Sequence, residues 1–172
     1  LEGKLCVISG ATSGVGFEAA KKIAAGGADI VLIARNIKKA ENIRPVLIGG
    51  SNIKIDIVRA DFSCLPEVKK AAEIILGKYP RIDLLINSAG IFITRKTKTS
   101  EGFETTFCVN HLAPFLLTRM LLERVKASAG ARIIQVNSQG HRFNGFDIND
   151  INWDKRFYNL FSFVYTIHIY VI

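Results

Sequence analysis

The sequence predicts an α/β protein built on a doubly wound parallel sheet with helices on both faces. Short apolar runs alternate along the chain with segments of helical periodicity, which is typical of βαβ units joined by right-handed crossovers. Most runs are continuous rather than alternating, as in Ile30–Ala34, and such strands are expected where helices cover both faces of a sheet. A glycine-rich turn, Ser9–Gly16, connects the first run to the first helical segment. We find no internal repeat.

Five apolar runs are predicted to form the strands of this sheet. We place them at Leu5–Ile8, Ile30–Ala34, Ile53–Ile57, Ile82–Ile86 and Arg132–Val136. The third run alternates between apolar and polar residues, which indicates one wetter face and predicts a strand at a sheet edge.

Four segments of helical periodicity are predicted to cover the sheet. We place them at Phe17–Ala24, Ile37–Arg44, Pro66–Leu76 and, as one long helix, about Gly102–Ser128. Asn36 can cap the second helix, and Pro45 is predicted to stop it. Gly77 is predicted to end the third helix, and Pro114 to bend the fourth. The loop Ile91–Ser100 is polar and basic.

The composition is that of a globular domain. The 172 residues are 49% apolar and 22% charged, and the formal net charge is +8. The positive residues are spread along the chain, with one dense patch at Arg95–Lys98. We interpret the charge as solvation and as attraction for an anionic cofactor, and we expect no nucleic-acid partner. The chain starts at Leu1 without a methionine and reaches its first strand almost at once, so we expect a fragment or a trimmed chain.

The cysteines and the hydropathy pattern favour a reducing compartment. Cys6, Cys64 and Cys108 are isolated and have no paired spacing, so the sequence predicts neither a disulfide framework nor a metal site. No secretory signal is visible, and no apolar run reaches the about 18 residues that a membrane-spanning helix needs. A cytoplasmic location is the default expectation, and anchoring through a segment preceding Leu1 stays open.

Several polar and glycine-containing stretches follow the predicted strands directly. They are the glycine-rich turn, Arg35, Asp61, Asn87–Gly90 and Ser138. The carboxyl ends of parallel strands share one edge of the sheet, and ligands bind at that edge in this architecture. A strand, a glycine-rich turn and a helix together can hold a dinucleotide pyrophosphate, because glycines allow close approach and the helix start offers free N–H groups. By itself, such a turn is equally compatible with a plain connection.

The order of these motifs resembles that of the short-chain dehydrogenase/reductase superfamily, and is most similar to its retinol dehydrogenase-like branch. Residues 4–141 carry the resemblance: the glycine-rich turn, Asp61, Asn87–Gly90, Asn110-His111 with Pro114, and Ser138 followed by His141. The resemblance implies a Rossmann-type fold and hydride transfer between a nicotinamide cofactor and an alcohol or carbonyl carbon.

The resemblance also implies the cofactor-binding residues. Gly10, Gly14 and Gly16 would shape the turn, with Ser13 and Val15 near the pyrophosphate, Asp61 and Phe62 at the adenine, and Asn87, Ala89 and Gly90 near the nicotinamide ribose. Ser9 stands where the family usually has threonine, and it keeps a hydroxyl. The alternative for Asp61 is an aspartate that merely flanks a helix, and for Asn87–Gly90 it is a simple turn.

Arg35 bears on the choice of cofactor. An acidic residue after the second strand would accept hydrogen bonds from a ribose 2′-OH, whereas arginine pairs with a 2′-phosphate. Because the acid is absent, NADP(H) is favoured and NAD(H) stays possible. Alternatively, Arg35 only begins a solvated loop.

The catalytic residues implied by the resemblance are Ser138, Asn110 and Tyr165. Ser138 would bond the substrate oxygen, and Asn110 would hold a water of the proton relay. The alternatives are a serine at a strand end and a helix-interior asparagine that bonds neighbouring backbone. We do not assign His141 a catalytic role, and His111 and His168 share no metal-ligand spacing with it.

The resemblance fails after Trp153. The family's catalytic tyrosine is followed four residues later by a lysine, which lowers its pKa, but the fourth residue after Tyr165 is Ile169 and no lysine follows Lys155. We therefore predict a dinucleotide-binding domain over 1–153 and an atypical apolar tail over 154–172 in place of the tyrosine–lysine helix. The sixth and seventh strands have no counterpart, so the predicted sheet is C-terminally incomplete. A truncated or frame-altered product, an incompletely represented chain and a pseudoenzyme all stay open.

Two functions are compatible with the sequence. The first is an NADP(H)-dependent oxidoreductase acting on an alcohol/carbonyl pair, including lipophilic ones such as retinoids or steroids, with weak cofactor binding and little turnover expected of this chain. The second is a catalytically silent dinucleotide-binding or interaction protein. Association into homo-oligomers is compatible with either.

Overall fold

The structure is a computed structural model, and it describes residues 1–137 and 147–158. Within these residues a parallel sheet of five strands has the order β3-β2-β1-β4-β5. The strands are β1 (Leu5–Ser9), β2 (Asp29–Ala34), β3 (Ile55–Arg59), β4 (Leu84–Asn87) and β5 (Arg132–Gln135). The order reverses beside β1, which is the switch point of a doubly wound sheet. The predicted fold class and the edge position of β3 are confirmed.

Helices cover both faces of the sheet. They are α1 (Gly14–Ala25), α2 (Ile37–Ile48), α3 (Leu65–Lys78), the short α4 (Thr105–Phe107) and α5 (Ala113–Lys126). Val7 and Val31 point to the face covered by α3 and α5, whereas Cys6 and Ile8 point to the face covered by α1 and α2. The continuous apolar strands therefore contribute side chains to two separate hydrophobic cores, one on each face of the sheet, as the sequence pattern predicts.

Two predicted helix ends are wrong. Helix α2 continues through Pro45 to Ile48 and ends at Gly49, whose backbone is left-handed (φ +50°). A proline removes one helical hydrogen bond, and in this last turn the burial of Leu47 offsets the loss. Helix α3 likewise passes Gly77 and ends at Lys78, with the N–H of Tyr79 donating to the carbonyl of Ile75.

The predicted long helix over 102–128 is confirmed in outline, because helical backbone runs without a break from Thr105 to Lys126 and contains one irregular turn before Pro114. Helix α4 leads into a π-helical turn, Cys108–Leu112, and α5 follows at Ala113. The N–H of Ala113 donates to the carbonyl of Cys108, five residues earlier. The irregularity lies directly before Pro114, which has no N–H to donate to the carbonyl of Asn110.

Residues 147–158 lie against the loop that precedes α4. A 3₁₀ turn over Ile148–Asp150 begins this segment, and the Lys96 ammonium donates to the carbonyl of Trp153 and to the Asp154 carboxylate, both at 2.6 Å. The predicted division of the chain at 153/154 falls inside this segment. Because residues 159–172 are outside the described part, that division stays a prediction.

Three further properties concern the described residues. None of their helices combines the length and the apolarity that crossing a bilayer requires. Within 1–137 and 147–158, no three histidine, cysteine, aspartate or glutamate side chains come together as a metal site. The three cysteines are free thiols, and burial raises the pKa of Cys6 and of Cys108 to about 12, so neither is a thiolate near neutral pH.

Candidate functional site

A cleft of about 580 Å³ lies at the carboxyl edge of the sheet, between the ends of β1, β2, β3 and β4. It brings together most of the predicted cofactor residues. These are Gly10, Ser13, Val15, Gly16, Arg35, Asp61, Phe62, Ala89 and Gly90. Gly14, Asn87 and Asn110 belong to the same turns and helix but do not line the cleft.

The glycine-rich turn packs directly on the turn that follows β4. Gly10 has φ +71°, and a Cβ built there would lie 2.5 Å from the backbone nitrogen of Ala89. A Cβ on Gly16 would collide with the carbonyl oxygen of Gly10. Gly14 has φ +58° and open space around it, so glycine is favoured there by the left-handed backbone conformation and not by lack of room for a side chain. Two of the three glycines are thus needed because backbone contacts backbone.

Ser9 joins the same two turns by hydrogen bonds. Its buried hydroxyl accepts from the N–H groups of Ser88 and Ala89, both at 3.3 Å. The parallel register places Ser9 opposite Asn87, which brings the hydroxyl to the start of the second turn. This role of the Ser9 hydroxyl is not predictable from the sequence, because the register between β1 and β4 is not visible there.

The amino end of α1 opens into the cleft. Ser13 is the N-cap residue, its side chain makes no capping hydrogen bond, and the first turn of the helix contains no acidic residue. Val15 in that turn is 68% exposed. The first N–H groups of a helix have no intrahelical acceptor and carry partial positive charge, so this end attracts an anion.

Two cations and one carboxylate form the opposite end of the cleft. Arg35 follows β2, and Lys39 lies in the first turn of α2, where Asn36 caps the helix by accepting from the Lys39 N–H at 2.9 Å. The Arg35 guanidinium lies 3.8 Å from the Asp61 carboxylate. Lys39 is not among the site residues predicted from the sequence, although the predicted cap at Asn36, which is confirmed, already places Lys39 in the turn that follows Arg35.

Asp61 is held by its own loop. One carboxylate oxygen accepts from the N–H and the hydroxyl of Ser63, at 2.9 and 2.7 Å, which leaves the other oxygen directed toward Arg35. The N–H of Asp61 donates to Glu67 at 2.8 Å. Hydrogen bonds to Arg59 and to the Asp61 N–H lower the pKa of Glu67, so it stays ionised and fixes this backbone at neutral pH.

Asn87 points away from the cleft. Its side-chain amide is buried against α5 and donates to the Thr118 hydroxyl at 2.8 Å. Ala89 and Gly90, in the same turn, line the cleft instead. The side chain of Asn87 therefore ties the turn to α5, and the predicted contact of this residue with a ribose remains a prediction.

Asn110 lies in the π-helical turn and clasps the backbone of Ile91. Its amide oxygen accepts from the Ile91 N–H at 2.8 Å, and its amide nitrogen donates to the Ile91 carbonyl at 3.1 Å. Only 1% of Asn110 is exposed, and Ile91 lines the cleft. The geometry matches the alternative of a helix residue that bonds neighbouring backbone, and the predicted role in a proton relay remains a prediction.

Ser138, His141 and Tyr165 lie outside the described residues, so their predicted roles remain predictions. His111, which is described, stacks on Phe107 with the ring centroids 5.1 Å apart. Burial lowers its pKa, which favours the neutral imidazole at pH 7.

The sheet order, the glycine-rich turn and the cleft at the switch point define a Rossmann-type α/β protein. The family model of the short chain dehydrogenase matches residues 4–147. The chain belongs to this family, as its motifs predict.

Named relatives agree with this assignment. Retinol dehydrogenase 12 of Homo sapiens is 35% identical over 167 residues, 96% of this chain and 53% of the relative. A protein of Streptomyces sp. (strain C5), provisionally named daunorubicin C-13 ketoreductase DnrU, is 38% identical over 159 residues, 92% of this chain and 54% of the relative. The chain therefore spans about half the length of the curated relatives it matches.

A solved structure shares the fold. A protein of Shigella flexneri 2a, provisionally named a short chain dehydrogenase and complexed with NADP, superposes with a TM-score of 0.74 at 22% identity. The match covers 96% of this chain and 66% of the Shigella chain.

Proposed function

We propose that this chain is the cofactor-binding part of an NADP(H)-dependent oxidoreductase that interconverts an alcohol and a carbonyl by hydride transfer. The observation that carries the proposal is the cleft itself. It has the open end of α1 on one side and the cations Arg35 and Lys39 on the other. Membership in the short chain dehydrogenase family supports the class of reaction, and the names of the relatives support both directions of it.

The residues of the cleft fit a dinucleotide. At Gly10 and Gly16 the space that a side chain would need is filled by backbone, so the turn presents its own N–H groups rather than side chains. These groups and the amino end of α1 would hold the pyrophosphate, and Gly90 would let the nicotinamide ribose approach. When bound, the nicotinamide supplies the hydride acceptor or donor.

The preference for NADP(H) rests on the charges near the adenosine ribose. Arg35 and Lys39 give two positive charges, and Asp61 gives one negative charge that already contacts Arg35 and Ser63. A ribose 2′-phosphate would find two cations, whereas a 2′-hydroxyl would find no carboxylate at the Arg35 position. The complex of the Shigella relative with NADP is consistent with this preference.

Binding measurements with matched variants test the proposal. Titrating the chain with NADPH and NADH should give the lower Kd for NADPH. The Arg35→Ala variant should raise the NADPH Kd about 10- to 100-fold, the loss expected for one charge-assisted contact, and leave the NADH Kd within about twofold. The control is Lys38→Ala, which removes an exposed lysine of the same helical turn that does not line the cleft. An unchanged NADPH preference in Arg35→Ala would contradict the cofactor assignment.

The catalytic step remains a proposal that rests on the family resemblance. Ser138 would bond the substrate oxygen, and Tyr165 would exchange a proton with it. A tyrosine with an ordinary pKa of about 10 is a poor base near pH 7 unless a cation lies close to its oxygen. The substrate class that the relatives' names support is a lipophilic alcohol, aldehyde or ketone.

A second candidate function is a catalytically silent dinucleotide-binding protein. It is favoured by one feature of the sequence, which is that Ile169 stands where the family places the lysine that activates the tyrosine. Assays with NADPH on a panel of aldehydes and ketones, retinaldehyde included, separate the two. Turnover that disappears in Tyr165→Phe supports the enzyme, and NADPH binding without turnover supports the silent protein.

A further inference from the structure

Glu104 is a fully buried carboxylate that lies outside the cleft. Its exposure is 0%, and its two oxygens accept from the N–H groups of Thr106 and Phe107 at 2.8 and 2.7 Å. These bonds cap the amino end of α4. A capping aspartate, asparagine, serine or threonine on the surface serves that purpose without the desolvation of a buried charge, so the burial of Glu104 needs a further reason.

Glu104 also makes hydrogen bonds to the segment 147–158, and these account for its burial. The backbone N–H of Glu104 donates to the Asn152 side-chain oxygen at 3.0 Å, and the Tyr158 hydroxyl donates to a Glu104 carboxylate oxygen at 3.3 Å. We call Glu104, Asn152 and Tyr158 the Glu104 clamp. Tyr158 also meets the buried Trp153 edge to face, with the ring centroids 6.1 Å apart. Glu104 therefore holds the later segment through both its backbone and its side chain.

A continuous line of contacts runs from the Glu104 clamp to the cleft. The Glu104 carbonyl accepts from the N–H of Cys108 at 2.9 Å, which sets the start of the π-helical turn. That turn carries Asn110, which clasps the backbone of Ile91, and Ile91 lines the cleft. A displacement of the Glu104 clamp would thus move Ile91, which forms part of the wall of the cleft where the cofactor is proposed to bind.

The same segment also fixes the far side of the loop that begins at Ile91. The Lys96 ammonium donates to the carbonyl of Trp153 and, with Lys98, contacts the Asp154 carboxylate. The loop is consequently held at its start by Asn110 and further along by the segment 147–158. In the sequence this segment lies between Ser138 and Tyr165, the two residues proposed to touch the substrate.

We propose that Glu104 is a positioning residue, which couples the docking of residues 147–158 to the geometry of the cofactor cleft. The proposal rests on the proposed function for its ligand, NADPH. Through Glu104, ordering of residues 147–158 would favour the ordered cleft, and ordering of the cleft would favour docking of residues 147–158.

The test compares Glu104→Gln, Tyr158→Phe and the double variant with the unmodified chain. Tyr158→Phe removes one hydroxyl and keeps the ring on Trp153, so it leaves the folding core intact. Glu123→Gln is the control, since Glu123 is an exposed glutamate of α5 whose partner is Lys126 at 2.8 Å. Two quantities are measured for each protein, the NADPH Kd and the hydrogen exchange of residues 91–112 and 147–158.

Coupling predicts that the effects spread from one side of the Glu104 clamp to the other. Tyr158→Phe should raise the NADPH Kd about two- to fivefold, which is only part of the loss of one hydrogen bond to a charged group because Tyr158 acts on the cleft through Glu104. It should also speed exchange in 105–112 as well as in 147–158. Glu104→Gln should have the larger effect, and the double variant should match it, because residues of one network are not additive. Glu123→Gln should change neither quantity.

Failure of the proposed coupling and failure of the proposed NADPH binding give different results. If Tyr158→Phe speeds exchange only in 147–158 and leaves the NADPH Kd unchanged, the two regions are independent and the coupling is refuted. If the unmodified chain does not bind NADPH, the proposed function fails, and exchange alone then decides the coupling by spreading to 105–112 or not.

Discussion

The two ends of the cleft are built in different ways. At the pyrophosphate end, the glycine-rich turn and the Asn87–Gly90 turn touch backbone to backbone, and the Ser9 hydroxyl joins them. At the end proposed to hold the adenosine, the groups that line the cleft include the long, exposed side chains of Arg35 and Lys39. Close-packed backbone cannot yield to an added atom, whereas an exposed side chain can be replaced without disturbing its neighbours. Under the proposed function, we therefore expect the first end to govern whether a dinucleotide binds and the second end to govern which one.

The largest effect should come from adding one methyl group at the pyrophosphate end. In Gly10→Ala, the new Cβ would lie 2.5 Å from the Ala89 nitrogen and the residue would keep an unfavourable φ of +71°. We expect binding of both NADPH and NADH to be lost and the free energy of unfolding to fall by about 2–4 kcal/mol, which calorimetry and titration would measure.

The matched control for that change is Gly14→Ala. Its φ of +58° carries the same conformational cost, but its Cβ would meet nothing within 4 Å. We expect a loss of about 1–2 kcal/mol, with cofactor binding retained. Equal damage in the two variants would show that conformation, and not the contact between the turns, governs this end.

The second-largest effect should come from Asn110, which holds the cleft-lining backbone of Ile91. Asn110→Ala removes both hydrogen bonds to Ile91 and leaves the N–H and carbonyl of this half-buried residue without those partners. We expect a loss of about 2–4 kcal/mol in the free energy of unfolding and weaker binding of NADPH and NADH alike, because the wall serves either cofactor. Urea denaturation and parallel titrations measure this, and selective loss of NADPH alone would contradict it.

The smallest effect should come from the opposite edge of the sheet. Asp83 is buried at the amino end of β4, where it accepts from the Leu5 N–H and the Lys4 ammonium, both at 2.9 Å. Burial acts to raise the pKa of Asp83, but these hydrogen bonds and the charges of Lys4 and Arg81 outweigh it and lower the pKa from 3.8. The folded state thus binds fewer protons than the unfolded state, and the stabilisation by this carboxylate is full above pH 3.8 and lost as the pH falls below it.

Replacing this carboxylate should change stability without changing the cleft. We expect Asp83→Asn to lower the free energy of unfolding by about 1–3 kcal/mol at pH 7 and to flatten its decline on acidification below pH 3.8. The NADPH Kd should stay within about twofold, since Asp83 lies far from the carboxyl edge. Thermal unfolding from pH 7 to pH 3 measures the first effect. A large change in cofactor affinity would mean that the two edges of the sheet are not independent.

The parallel sheet could be predicted from the sequence, because buried parallel strands and the turns that follow them have a strong local pattern. The predicted Asn36 cap is also confirmed, since its hydrogen bond to the Lys39 N–H is local. The end of α2 was not predictable from Pro45, because the burial of Leu47 depends on tertiary packing. The hydroxyl of Ser9 and the clasp of Asn110 depend on registers between distant elements, which a single sequence does not display.

The π-helical turn Cys108–Leu112 holds one more residue than an α-helical turn would need. It therefore acts as a phase shift, which allows Asn110 to face Ile91 while Leu117 and Leu121 of α5 face the sheet. Each residue of an α-helix turns by about 100°. Deleting a single residue from this turn would rotate the buried stripe of α5 by about that angle relative to Asn110. Insertions and deletions of one residue should therefore be far less tolerated here than substitutions.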